Sequence, residues 1–462
     1  MTQSTTTRGQ AAPTEGGRPA RARRAEAVRF AATHTLPVLV RDLMGPHARL
    51  LRPGPGRPRW PAATLRALRA RHGGAPVLLR GPTGPTLVLL DPLDLPRFHE
   101  APPSELATCP PDKCRAPGAA PVAGGPTRDA DPGRAPEPDR DDLRARRREV
   151  NEIVLASGSP VHPSCGPFLA VIADEAGRLG ASHALRLAPA RHTVTRAARR
   201  MVLGDTAAGD EELAGWLDRL DAGGDRGAPR KHGAAETLYE KAGARIARYA
   251  AAAEPYTLVG RARRHPDPAG TLDPIGQALH WLRALDAVPA TLLRTLLLLA
   301  AHPAEQDAAC AEARSGGAAK GELPRLRACV QETLRLYPVV PDLVRVTRTE
   351  TEWRGVRHPA GTPVLLPALF HQRDPDHVPA AHAFVPGRWT SPGSREDLRM
   401  APFGHGAGRC PGDRLALLVV AAFCAELLRG HRVRDGRPAL DPVGPLPAAL
   451  DPRRIRLTIT RR

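Results

Sequence analysis

Aromatic residues make up only 3% of this 462-residue chain, too few for a platform on which nucleic-acid bases would stack. Lysine is nearly missing as well. It stands only at positions 113, 231, 241 and 320, so 63 of the 67 basic residues are arginine. Beside 51 prolines and abundant alanine and glycine, this skew reads as GC-rich coding rather than a DNA-binding face. The net charge of +19 supports only an electrostatic argument, and nucleic-acid binding is not expected. No run of about 18 apolar residues is free of charge and proline; the longest, Leu292 to Ala301, contains Arg294. No membrane span is expected. Residues 1–29 are arginine-rich and have no apolar stretch, so they read as part of a disordered basic tail over 1–35, not as a secretory signal. A cytoplasmic protein is the corresponding expectation.

Cysteine is sparse too, at positions 109, 114, 165, 310, 329, 410 and 424. An odd number without an export signal argues for free thiols. Cys109 and Cys114 lie in a proline-rich loop without a second ligand pair nearby, so they do not read as a zinc site.

What the sequence does contain is helical periodicity. An amphipathic helix is expected near 61–71, then a β-hairpin from Val77–Leu79 and Leu87–Leu90 across the turn at 81–85. Residues 102–138 are dense in Pro, Gly and Asp and read as a long loop or lid. Helical patterns follow, with a long apolar helix predicted over 273–301. Short strands are expected over 344–366 and around 455–459. The fold class is therefore mainly α with a small β subdomain, and residues 36–462 read as one domain.

The strongest local signal is Ala401-Pro-Phe-Gly-His-Gly-Ala-Gly-Arg-Cys410-Pro-Gly-Asp, a Gly-rich loop that feeds one cysteine into an apolar helix. Glycines permit tight backbone geometry there. Backbone N–H groups and the positive end of the helix dipole would lower the thiol pKa. A thiolate in that setting suits a nucleophile or a metal ligand.

At these residues the chain resembles the cytochrome P-450 superfamily of haem-thiolate monooxygenases. Phe403, Gly406, Cys410 and Gly412 match the Phe-x-x-Gly-x-Arg/His-x-Cys-x-Gly signature. Gly408 departs from it at the Arg/His position, with Arg409 and His405 nearby. The resemblance implies haem b (iron protoporphyrin IX) on the Cys410 thiolate, between a long central helix and the cysteine-loop helix. It also implies that Glu332 and Arg335 of Glu-Thr-Leu-Arg, with Arg388 further on, form a buried structural lock. Charges of this kind must satisfy one another. Arg345 is the implied propionate contact, for which a guanidinium is well shaped. Arg144 and Arg148 have the spacing of a further haem-contacting pair, although the usual aromatic is missing; a solvated basic face that attracts an acidic ferredoxin is the other reading.

Counting back from His302-Pro303 aligns Ala284-Leu-Asp286-Ala287 with the family's oxygen-activating stretch. Asp286 takes the acid position, suited to proton delivery through ordered water. Ala287 replaces the usual threonine. Pro289 should kink the helix and free the carbonyl of Leu285 to hold a water, leaving Asp286, that water and Thr291 to replace the alcohol. Ala284, Val288, Leu343 and Val344, with the loop 446–450, are the expected pocket walls. The implied function is oxidation of a lipophilic small molecule in secondary metabolism or catabolism, with electrons from ferredoxin and ferredoxin reductase or a similar donor. A peroxide-dependent enzyme and a catalytically impaired accessory or ligand-binding protein are the alternatives.

Overall fold

Leucine fills most positions from 292 to 299, leaving that stretch no polar face, and a helix apolar all round belongs in the middle of a domain. In the computed structural model, which describes residues 19–35, 60–81, 84–107, 140–224, 232–265, 274–394 and 396–461, this segment does lie at the centre. Leu292, Leu293, Leu296 and Leu298 are wholly buried. The expected single helix is two: α10 (Pro274–Leu285) and α11 (Val288–Ala301). Pro289 sits in the first turn of α11, where a missing N–H is tolerated but cannot serve the carbonyl of Leu285 in the turn before. Residues 277–301 are long and apolar enough to cross a membrane, yet most of that stretch is buried inside the protein.

The preceding helices are α1 (Arg24–Phe30), α2 (Trp60–Arg71), α3 (Leu95–Glu100), α4 (Arg140–Val154), α5 (Cys165–Gly180), α6 (Leu187–Leu203), α7 (Glu211–Gly224), α8 (His232–Ala251) and α9 (Leu258–Arg264). After α11 come α12 (Pro303–Arg314), α13 (Pro324–Leu336), α14 (Ala368–Gln372) and α15 (Asp413–Gly430). α5, α6, α11, α13 and α15 contribute to the main core. The apolar run from Leu415 to Leu428 makes α15 almost as buried as α11.

Five strands form the larger sheet: β1 (Val77–Gly81), β2 (Gly84–Val88), β3 (Leu106–Ala107), β5 (Leu343–Thr347) and β8 (Pro363–Leu366), in the order β1-β2-β8-β5-β3. β4 (Ala184–Leu185), β10 (Arg456–Arg461) and β9 (His431–Arg437) make a second sheet, and β6 (Thr351–Trp353) pairs with β7 (Val356–His358). The β1–β2 hairpin has the register Val77 opposite Val88.

The boundary expected at residue 35 is corrected. Residues 19–35 fold: α1 and a π-helical turn follow a bridge from Arg21 to Leu78. Phe30 is buried with Leu65, Leu68 and Val77, so this segment covers the hairpin instead of forming a tail. Residues 1–18, residues 36–59, Cys109, Cys114 and most of the proline-rich loop lie outside the described residues.

Candidate haem-thiolate site

The loop ahead of α15 is shaped by its own backbone. Cys410 donates its N–H to Phe403 O at 2.9 Å and Arg409 donates to Gly406 O at 3.1 Å. Gly404 and Gly406 take φ of +71° and +58°, where L side chains are disfavoured. Gly406 is constrained twice, since a Cβ there would stand 2.1 Å from the carbonyl oxygen of His99 in α3. Gly412 is different. A Cβ there would meet only Leu155, at 3.5 Å, so the polypeptide does not by itself demand glycine at that position.

Helix α4 braces the loop from outside. Arg148 donates from one nitrogen to Ala407 O at 2.8 Å and Arg409 O at 3.0 Å, while Ser157 donates to Pro411 O. Arg148 therefore acts on the loop's carbonyls. Arg144 lies on the same helix, but its side chain is outside the described residues. One turn beyond Arg148, Asn151 donates to Gln277 at 2.8 Å and accepts from the Trp281 indole at 2.6 Å. These buried bonds tie α4 to α10.

Cys410 remains open to solvent although protein crowds around it. Burial pushes its thiol pKa up and Asp413 adds to this, against the lowering influence of the Gly412 N–H, Arg148 and Arg409. The expected depression by the helix start is thus outweighed in the polypeptide alone. Iron binding would draw off the proton, because the thiolate is the ligand form.

Arg345, from β5, reaches the same place. It is 4% exposed, its guanidinium lies 4.8 Å over the Phe98 ring, and one terminal nitrogen, Nη1, is buried without a hydrogen-bond partner. Burial lowers its pKa to about 10. His405, in the loop, has a buried unpartnered Nδ1 and meets the His99 ring edge-on at 6.2 Å. Burial, then the charge of Arg345, lowers the His99 pKa to about 4, so this ring is neutral near pH 7. A buried cation and an imidazole with unmet hydrogen-bonding capacity beside an open thiol fit a group that brings both carboxylates and a thiophilic metal. Haem is such a group. Cys410 would hold its iron and Arg345 a propionate.

Glu332, Arg335 and Arg388 come together as one buried cluster. Arg335 grips both carboxylate oxygens at 2.8 and 2.9 Å, and Arg388 reaches the same group at 3.1 Å. The N–H of Val385 at 2.9 Å and the indole N–H of Trp389 at 2.8 Å complete it. Arg335 also donates to the carbonyls of Gln372, Ala381 and Ala383. Both charges of the Glu332–Arg335 pair are fully buried and fully served, the condition under which such a pair persists. Trp389 was not among the expected members, though it directly follows Arg388.

The oxygen-activation stretch departs from expectation. The Asp286 carboxylate is turned to α6, where Arg191 donates to it at 2.8 and 3.1 Å and also to Asp218 of α7 at 2.9 Å. It occupies the break between α10 and α11, and is an ion-pair partner rather than an open relay. Ala287 precedes α11 as its N-cap. Thr291 is buried, its hydroxyl donating to Ala287 O at 3.1 Å; Thr295 likewise donates to Thr291 O, at 2.9 Å.

Among the wall residues, Val288 is buried and Ala284 exposed. Leu343 shares the Arg345 side of β5 and packs with the Phe98 and Leu366 cluster. Val344 packs on the opposite face with Phe30 and Phe370, because alternate strand residues point to opposite sides. Val344 is therefore corrected from pocket wall to support. The carbonyls of the 446–450 loop are held by Arg373, Tyr337 and Arg294. Elsewhere, a surface cleft of about 480 Å³ is lined by residues including Asp210, Arg245 and Tyr249, but Asp210 is engaged by both.

An open cysteine loop set against a central helix is the arrangement that comparison with known proteins also finds. Residues 284–457 match the family model described as Cytochrome P450. The structure aligns with the retinoic-acid-bound cyanobacterial CYP120A1 at a TM-score of 0.65 and 17% identity, covering 86% of this chain and 94% of that one. The family match is to this C-terminal stretch, which carries the cysteine loop and the Glu332–Arg335 pair, and the structural likeness extends over most of the chain as a likeness of fold. It is 34% identical over 175 residues to mouse (Mus musculus) mitochondrial 25-hydroxyvitamin D-1 alpha hydroxylase, which covers 36% of this chain and 34% of that protein. It is 32% identical over 210 residues to cyclooctat-9-en-7-ol 5-monooxygenase of Streptomyces melanosporofaciens, covering 41% and 46% respectively. These matches span between about a third and a half of the relatives' lengths.

Proposed function

We propose that the protein is a haem-thiolate monooxygenase that carries haem b, takes electrons from a ferredoxin-type donor and oxidises a lipophilic small molecule. The observation that carries this reading is the open thiol of Cys410 in a loop joined by the buried, incompletely partnered guanidinium of Arg345. The names of the relatives support hydroxylation or monooxygenation, and their named compounds, 25-hydroxyvitamin D and cyclooctat-9-en-7-ol, support a lipophilic substrate.

When bound, haem supplies the redox chemistry of dioxygen activation. The residues supply position and protons. Cys410 would hold the iron as thiolate and Arg345 would meet a propionate, while Arg148 holds the loop carbonyls on either side of Gly408. Pro289 has no N–H to offer the Leu285 carbonyl, and Thr291 lies one turn into α11 with its hydroxyl on Ala287 O. A water on that carbonyl, with the Thr291 hydroxyl, would take over proton delivery from the missing threonine.

A second reading, an accessory or ligand-binding protein without turnover, is favoured by the Asp286–Arg191 pair, which occupies the acid otherwise suited to that task. The deciding experiment is the absorption spectrum of dithionite-reduced protein under carbon monoxide, for wild type and Cys410→Ser, followed by turnover with a ferredoxin system. A strongly red-shifted Soret band in the wild type alone, with product formed, is expected. Haem loading without turnover would favour the accessory reading, and no haem uptake would overturn both.

A further inference from the structure

Helix α10 leaves one narrow stripe open. Its Gln277, Ala278, Leu279, Trp281, Leu282 and Leu285 are buried, whereas His280 and Ala284, one turn apart, are exposed. The neighbours fix which way the stripe faces. On one flank Gln277 and Trp281 bond to Asn151 of α4. On the other, Arg283 donates to the Tyr239 hydroxyl of α8 at 3.2 Å, and Asp286 turns to α6. At 3.6 residues per turn, 280 and 284 fall between these flanks. One turn before Asn151, Arg148 of the same α4 holds the cysteine loop. The stripe and the loop therefore border one recess, with α4 as their common edge.

His280 shares a combination of properties with Cys410. Each side chain is exposed, yet protein crowds each closely enough for burial to shift its pKa. A group open to solvent and surrounded by protein stands in a concavity. Burial first, and the charge of Arg283 second, lower the His280 pKa from 6.5, so the ring is neutral at pH 7. It makes no hydrogen bond among the described residues, and so has no part in holding the fold. A neutral imidazole offers one donor and one acceptor, the complement of a hydroxyl group. Its companion on the stripe, Ala284, contributes only a methyl. In a mostly apolar pocket, a single polar group of this kind sets the orientation of what binds.

We propose that His280 is a substrate-positioning residue: it lines the recess shared with the cysteine loop and hydrogen-bonds a hydroxyl group of the lipophilic substrate, so that the compound oxidised is already an alcohol. This rests on the proposed haem-thiolate function.

The test uses full-length haem-loaded protein and three pairs of probes, each an alcohol and the hydrocarbon of its skeleton: menthol and menthane, cedrol and cedrane, cholesterol and cholestene. Dissociation constants are read from the shift of the Soret band on titration, for wild type, His280→Leu and His280→Gln. The quantity compared is the ratio of the hydrocarbon's constant to the alcohol's, which cancels effects common to both members of a pair. His280→Leu should lower that ratio about three- to tenfold for at least one pair, as loss of one hydrogen bond would, while hydrocarbon binding stays the same or tightens. His280→Gln keeps a donor and an acceptor and should stay within about threefold of the wild-type ratio. A ratio that His280→Leu leaves unchanged for every pair, or that His280→Gln lowers as far as His280→Leu does, would overturn the proposal. So would haem-loaded wild type whose spectrum answers to no member of any pair. Wild-type protein that takes up no haem would instead overturn the proposed function, a failure visible before any probe is added.

Discussion

Arg191 joins two carboxylates that belong to different helices, donating to Asp286 in the break of the central helix and to Asp218 on α7. The geometry on Asp286 is two-pronged, which makes it directional, but all three side chains keep substantial solvent contact. Screening therefore keeps its contribution to stability small. Arg191→Met should cost less than about 1 kcal/mol in urea unfolding. Its larger effect should be on the use of reductant under the proposed function: with the Arg191 contact to Asp286 removed, the ratio of product to reductant consumed should rise. An unchanged ratio would show that this contact does not limit proton delivery.

Glu332 presents the opposite case. Its carboxylate is fully buried and serves two guanidiniums, a backbone N–H and an indole. Glu332→Gln keeps the shape but strands the buried guanidinium of Arg335 and unpairs the partly exposed Arg388, for which about 3–5 kcal/mol is expected. Denaturant unfolding should show a loss of that size or no soluble protein at all. A loss under about 1 kcal/mol would contradict the buried-lock account.

Removal of the Asn151 amide should leave the Trp281 N–H and the Gln277 side chain without partners. Asn151→Leu is expected to cost about 1–3 kcal/mol and to speed hydrogen exchange of amides in α4 and α10 together. Acceleration in α4 alone would show that the two helices are not coupled through this residue.

Acid should weaken the fold well before the carboxylates titrate. Burial lowers His371, His162 and His99 from 6.5 to about 4. Each is neutral when folded but takes a proton at about pH 6.5 when unfolded, so the unfolded chain binds more protons between those values. Stability is then present above about pH 6.5 and lost as pH falls towards 4. Asp94, raised by burial from 3.8 to about 6, has the reverse sign, because its ionisation favours the unfolded chain as pH rises through that window. Three groups against one leave a net loss on acidification. Urea midpoints at pH 7 and pH 5 should show it, and His371→Gln should reduce the difference. A midpoint higher at pH 5 would contradict this assignment.

Features encoded in neighbouring residues were legible before any coordinates. The β1–β2 hairpin announced itself by two apolar runs around a Gly-Pro turn, and α15 by an unbroken apolar run after Cys410. The cysteine loop was readable because its glycines and its cysteine act on one another within a dozen positions. Pro289 likewise marked the helix break, though not that Asp286 would turn outward, since its partner Arg191 is far away in the chain. Phe30 was hidden for the same reason: only contact with Leu65 and Val77 makes residues 19–35 ordered. Val344 was misplaced because the family layout supplied a position and the strand's alternation supplied the face. That Gly408 stands beside Arg345 of β5 was equally hidden, because the two are far apart in the chain.

Helix α4 holds the cysteine loop through Arg148 and the distal half of the central helix through Asn151, from one side and within a single turn. It is thus a single strut shared by two parts of the molecule that are far apart in sequence. A substitution that shifts α4 would disturb the loop ahead of Cys410 and the first half of the central helix together, so neither can be repacked independently of the other.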